Sequence, residues 1–129
     1  MILLDTDHCI AILRGRLEIG DHASSTEVLA ITSVSVGELV HGALKSARAA
    51  ENLLILETLL AGMVTLPFDE KAAYYFGKLK AGLERKGERL PDIDLQIASI
   101  ALLHQVVLFT HNQRHFKRIP GLMLNDWLS

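Results

Sequence analysis

The stretch "PDIDLQIASIALLHQVVLFT", residues 91–110, decides how this chain is read. Asp92 after Pro91 is a candidate N-cap, since its carboxylate can accept from the free amides of a first helical turn. The apolar run behind it (Leu95, Ile97, Ala98, Ile100, Ala101, Leu102, Leu103) suits a buried helix reaching about His104. "VVLFT", 106–110, then reads as a short, fully apolar strand. A core helix feeding a buried strand is the repeating unit of an α/β fold.

The same alternation extends to both ends of the chain. Residues 2–5 form a short apolar strand ending at Asp5, and Asp7 can cap a helix to about Leu13. "VLAITSV", 28–34, is a second strand, followed by helices at 36–45 and about 47–61, the latter ended by Gly62. "VTLPF", 64–68, is a third strand, and a helix over 69–86 stops at Gly87. A helical turn at 113–118 and a fifth strand near 122–125 close the chain. The expectation is one α/β domain over residues 1–129, with a central, mainly parallel sheet of four to five strands flanked by helices.

Bulk properties exclude several classes. The net charge of −2 is not that of a generally basic nucleic-acid binder. Basic residues do cluster, at Lys78, Lys80, Arg85, Lys86 and Arg89 and again at Arg114, Lys117 and Arg118; solvated helix surface accounts for either cluster alone. No apolar stretch reaches the roughly 18–20 residues of a membrane span. The single cysteine, Cys9, cannot form an internal disulfide, which fits a reducing cytoplasm. Half the residues are hydrophobic, a surplus that an oligomer or partner interface would absorb. The helix "AENLLILETLL" is a candidate for that interface, because Glu51, Asn52, Glu57 and Thr58 leave it a broad apolar face. Ordinary core burial explains that face equally well.

In parallel sheets, ligands bind beyond the carboxyl ends of the strands. Polar residues gather there: Asp5 after the first strand, Glu38 after the second and Asn112 after the fourth, with Asp92 and Asp94 opening the preceding helix. Each has a structural explanation. Asp5 can end a strand, Ser35 and Glu38 match a capping box, Asp92 can cap, and Asp94 can answer a helix dipole. Helical spacing separates the two aspartates. Asp92 shares a polar face with Gln96 and Ser99, whereas Asp94 shares one with Ile97, Ala98 and Ala101 and so points the way the core points. An unpaired carboxylate there is costly, and no cationic partner lies nearby in sequence. Gly42, one turn beyond Glu38, leaves space beside that carboxylate. Converging carboxylates raise one another's pKa unless a divalent cation joins them. Magnesium and manganese prefer oxygen ligands, so Asp5, Glu38 and Asp94 are the candidate metal ligands, with Asn112 as a neutral donor or water-orienter. Zinc competes poorly: Cys9 is alone and the six histidines form no HExxH pair. No phosphate-binding glycine loop is present.

"ILLDTD", "TSVSVGELVHGA", "PDIDLQIASIAL" and "LFTHNQRHFKRIPGL" follow one another in order, and "LMLNDWL" closes the sequence. Together they resemble the PIN-domain superfamily, and within it the VapC-like toxins of bacterial toxin–antitoxin pairs, over essentially the whole chain. The resemblance implies a Mg²⁺- or Mn²⁺-dependent ribonuclease that leaves a 5′-phosphate and a 3′-hydroxyl. It also implies a homodimer held inactive by a cognate antitoxin. The family's acidic positions fall on Asp5, Glu38 and Asp94, and its fourth site position on Asn112, where many members carry aspartate. Asparagine there lowers the negative charge of the site by one. Asp7 and Asp92 stand beside these positions and are candidates for an outer supporting role. Arg114, Lys117 and Arg118, just past Asn112, are candidates for holding RNA phosphates.

Two other readings compete, and a third is compatible with the enzyme reading. A phosphatase could use Asp5-Thr6-Asp7, but the chain is short for its later motifs. A phospho-acceptor signalling module would want its acceptor after the third strand, where Asp69 stands offset by Pro67-Phe68, and a lysine that "THN" lacks. A non-catalytic dimeric binding protein would use the apolar helix for a dimer or an antitoxin, a role the enzyme reading also allows.

Overall fold

The computed structural model describes residues 1–128. Five strands form one sheet: β1 (Ile2–Leu4), β2 (Leu29–Thr32), β3 (Val64–Leu66), β4 (Val107–Phe109) and β5 (Leu124–Asn125). Their order is β3-β2-β1-β4-β5, and every pairing is parallel. The helices are α1 (Thr6–Leu13), α2 (Ser33–Lys45), α3 (Ala49–Ala61), α4 (Glu70–Arg85), α5 (Asp92–His104) and α6 (Gln113–Phe116). The expected single α/β domain is therefore found, with a wholly parallel sheet.

Strand alternation divides the core in two. Leu3, Ala30 and Leu108 face α4 and α5, joined by Leu83, Leu95, Ile100 and Phe116. Their neighbours Leu4, Ile31 and Phe109 face the other way, onto Cys9, Leu39 and Leu56 from α1, α2 and α3. The "apolar on both faces" pattern of the strands is thus the direct record of helices on both sides. Burial pushes the Cys9 thiol up to about 12, so this cysteine is a small core residue rather than a nucleophile.

Helix α4 ends as its sequence suggests. Gly87 adopts φ +72°, and the Glu88 amide reaches back to the Leu83 carbonyl, closing the last turn. The starts differ from expectation. Asp5, rather than Asp7, caps α1, its Oδ1 accepting from the His8 amide at 2.9 Å. Thr32 caps α2 three residues before the expected start, accepting from the Ser35 amide, so the Ser35–Glu38 capping box does not form. Pro91 occupies the cap position of α5 without a side-chain bond, and Asp92 instead pairs with Lys80 at 2.9 Å. Ser99 also departs from its expected solvent face. It is fully buried, its hydroxyl donating to the Leu95 carbonyl. Asp69 accepts from the Ala72 amide as the cap of α4, which gives it a structural use in place of a phospho-acceptor role. Among the described residues, no helix is long and apolar enough to cross a membrane.

Candidate active site

The chain reverses its direction of progress across the sheet at β1 and β4, which lie side by side. Such a switch point opens a crevice beyond the carboxyl ends of the two strands. A cavity of about 310 Å³ lies there, lined by Asp5, Asp7, Glu38, Asp94 and Asn112, with Phe116 among its apolar walls. The four expected site residues thus come to one space from four separated segments.

Each is held by a different local device. Asp5 follows β1, is almost fully buried, and is tied to Phe109 by its backbone amide at 3.0 Å. Its Oδ1 also stands 3.0 Å from Nδ1 of His8, one turn along α1. Glu38 is fixed by Thr6, whose hydroxyl meets its Oε1 at 2.6 Å. Thr6 Oγ1 also lies 2.9 Å from Ser35 Oγ. A hydroxyl has one proton, so when Thr6 donates to the carboxylate, Ser35 must donate to Thr6. Replacing Thr6 with valine keeps the shape and deletes this tether. If Glu38 holds the ion that the sequence resemblance implies, the ribonuclease rate it implies should fall by about 10–100-fold, the usual cost of losing an outer partner of a ligating group. An unchanged rate for Thr6→Val would show that Glu38 needs no tether.

Asp94 has the partner that its sequence neighbourhood did not reveal. Nδ1 of His115 lies 3.2 Å from its Oδ2 and 2.9 Å from the Asn112 side-chain amide. A single ring nitrogen cannot do both, so Nδ1 of His115, three residues past Asn112 on α6, donates to Asp94 when it carries the proton and accepts from Asn112 when it is bare. Asp7 is exposed at the cavity rim, and its carboxyl is held above the usual carboxylate range. Partial desolvation is the main cause. The charges of Asp5 and Asp94 add to it, against opposing contributions from His8 and His111. Asp92 does not join the cavity. It lies in a separate depression with Lys80, Glu88 and Arg89. Gly42 opens onto a neighbouring cavity that Glu38 also lines, and a Cβ there would meet nothing within 4 Å. Its space is real, but the packing of the fold does not require glycine.

The donor set suits a hard divalent cation: carboxylate and amide oxygens, with no lysine or arginine lining the cavity. Among the described residues, no three His, Cys, Asp or Glu side chains draw together into a ready-made cage.

Comparison with known proteins identifies the family. The PIN domain family model matches residues 2–122. The chain belongs to the PIN-domain family. Among curated PIN-domain relatives, the tRNA(fMet)-specific endonuclease VapC of Salmonella typhimurium is 35% identical over 97% of this chain and 96% of its own length. Ribonuclease VapC2 of Rickettsia felis is 33% identical with the same coverage. Among solved PIN-domain structures, DNA-bound VapBC from Salmonella typhimurium superposes with a TM-score of 0.91 at 34% identity, covering 98% of this chain and 97% of that one. VapBC2 from Rickettsia felis, bound to a promoter DNA fragment, gives 0.89 at 32% identity over 98% and 99%.

Beyond the expected residues, Thr6, His8 and His115 take part in the site. Thr6 was legible as the hydroxyl between Asp5 and Asp7. His8 lies three residues from Asp5 and so on the same helical face. His115 bears the same spacing to Asn112, but its contact with Asp94 spans 21 residues of sequence.

Proposed function

We propose that this chain is a metal-dependent endoribonuclease, the toxin of a VapBC-type toxin–antitoxin pair. The observation that carries the reading is the cavity itself, where Asp5, Glu38, Asp94 and Asn112 face one space with no lysine or arginine among its lining residues. The VapC relatives supply the substrate class, RNA.

Asp5, Glu38 and Asp94 would hold Mg²⁺ or Mn²⁺. When bound, such an ion supplies Lewis-acid polarisation of a phosphoryl oxygen and a water acidified enough to attack at neutral pH. The residues of the chain do the rest. Asp5 presents a carboxylate whose Oδ1 is already occupied by α1, so its Oδ2 is the oxygen available to the cavity. Thr6 keeps Glu38 turned toward the site, and His115, with its proton on Nδ1, does the same for Asp94. Asn112 offers an uncharged amide to orient a water or a phosphate oxygen. Arg114, Lys117 and Arg118 stand exposed on and just after α6, where they can bind the phosphates flanking the cut.

The apolar residues Leu54 and Ile55 of α3 are exposed, which supports a homodimer or antitoxin contact on that helix. An apolar cavity of about 270 Å³, with Leu39, Ile55 and Leu56 among its walls, opens beside Glu38 and is the seat we assign to the antitoxin.

The test is incubation of the purified chain with cellular RNA in Mg²⁺, Mn²⁺ or chelator, with the cut ends mapped and the solution mass measured in parallel. We expect discrete cuts with 5′-phosphate ends, abolished by chelator, and a mass of two chains. Cleavage that persists in chelator overturns the metal assignment, and a monomer at high concentration overturns the dimer.

A further inference from the structure

We propose that His8 is a positioning residue that aims the Asp5 carboxylate, and that the segment Asp126–Trp127 fixes the imidazole in the one tautomer able to do so. The inference rests on the reading of Asp5 as an ion ligand in a ribonuclease site.

His8 is completely buried, and both of its ring nitrogens are engaged. The backbone N–H of Trp127 donates to Nε2 at 3.0 Å. A nitrogen that accepts must present its lone pair, so the proton of a neutral ring has to sit on Nδ1. Nδ1 lies 3.0 Å from Asp5 Oδ1 and donates there. The same oxygen already accepts from the His8 amide at 2.9 Å. Two donors from one residue thus saturate Oδ1 in a fixed direction, which leaves Oδ2 as the free oxygen.

The group that dictates this tautomer comes from the opposite end of the described chain, 119 residues from His8. Trp127 is itself anchored. Its ring packs 4.7 Å from that of Phe109 and stacks on His22 at 5.2 Å. Asp126 is bound by His111 at 2.9 Å and by the Leu128 amide at 2.7 Å, and one of its oxygens is 3.4 Å from Nε2 of His8. A proton on Nε2 could find that oxygen, but it would meet the Trp127 N–H head-on. The arrangement is the familiar one in which a ligating group is aimed by a partner behind it, here with the direction reversed: histidine orients carboxylate.

The first test is a long-range ¹H–¹⁵N correlation of the His8 ring in labelled protein without metal. The expected result is an Nδ1–H tautomer with bare Nε2. An Nε2–H tautomer, or a ring protonated on both nitrogens, overturns the proposal. The second test measures Mn²⁺ binding through the loss of the free-ion paramagnetic resonance signal. His8→Leu preserves bulk but cannot donate, and should weaken Mn²⁺ binding by about 10–100-fold. His8→Asn places an amide N–H near the Nδ1 position and should recover most of that loss. Wild-type binding by a folded His8→Leu, or no recovery in His8→Asn, overturns the positioning role. If His8→Leu does not fold, the ring tautomer and the affinity of His8→Asn against wild type decide the question. Neither readout involves RNA, so a wild-type chain that binds Mn²⁺ but cleaves nothing would defeat the ribonuclease reading and leave this one standing.

Discussion

Asp94→Asn should lower RNA cleavage by more than about 100-fold, because loss of even an outer partner of a metal ligand costs about 10–100-fold and Asp94 is proposed above as a direct ligand. The thermal midpoint should stay at or above that of the wild type. The asparagine keeps the size of the side chain and can still accept from His115, the carboxylate's hydrogen-bond partner. No lysine or arginine pairs with Asp94, so no buried cation is orphaned by neutralising it. Removing one charge also relieves Asp7, whose carboxyl feels Asp94 as a like charge. Cleavage rate and circular-dichroism melting, measured on the same preparation, check both halves. A variant that cuts at the wild-type rate removes Asp94 from its role. Asp5 gives no such clean separation, since it also caps α1, and losing a cap costs about 0.5–2 kcal/mol of stability.

Phe116→Ala should cost about 3–5 kcal/mol, a large share of the roughly 5–15 kcal/mol available to a domain of this kind. Phe116 is 2% exposed and packs into the core shared with α5, so truncation leaves a cavity that the short α6 cannot fill. It also forms part of the wall of the site. Asn112 and His115 sit on the same turn and would lose their anchor with it, so cleavage should fall even at temperatures where the variant is folded. The measurement is the urea midpoint at constant slope. An unchanged midpoint would mean that the ring contributes no packing. Phe116→Leu should retain most of the stability.

Much of this was legible because burial leaves a periodic trace. Strands sandwiched between helices must be apolar on both faces, and "VVLFT" and "ILL" say so without reference to anything distant. Asp5 and Asn112 stood out as polar residues just past buried strands, Glu38 as a carboxylate on the helix that follows the second strand, and Asp94 because helical spacing turns it toward the core. The caps were less legible. Whether Asp5 or Asp7, or Thr32 or Ser35, accepts from the first turn depends on the residue at which strand yields to helix, and a shift of one to three residues changes the answer. Ser99 was misplaced because helical spacing describes a face but not how deeply the helix sinks; α5 is buried on nearly every side, and Ser99 survives there by bonding to its own backbone. The contacts of His8 with Trp127 and of His115 with Asp94 could not be read at all. Their partners Trp127 and Asp94 lie 119 and 21 residues away and meet them only once the sheet has closed.

The central strand of the sheet is also the first one in the chain, and that has a consequence for how the protein is made. β1 takes one neighbour from residues 29–32 but must wait for the other until residues 107–109 have been added. At a usual 5–20 residues per second, roughly 5–20 s separate the emergence of Asp5 from the ribosome and that of Asn112. Throughout that interval the nascent polypeptide holds only part of the lining of the cavity between Asp5 and Asn112. On the toxin reading proposed above, a translation event that stalls early releases a product lacking part of the proposed ligand set, and an antitoxin has that much time to meet the chain before the set is complete.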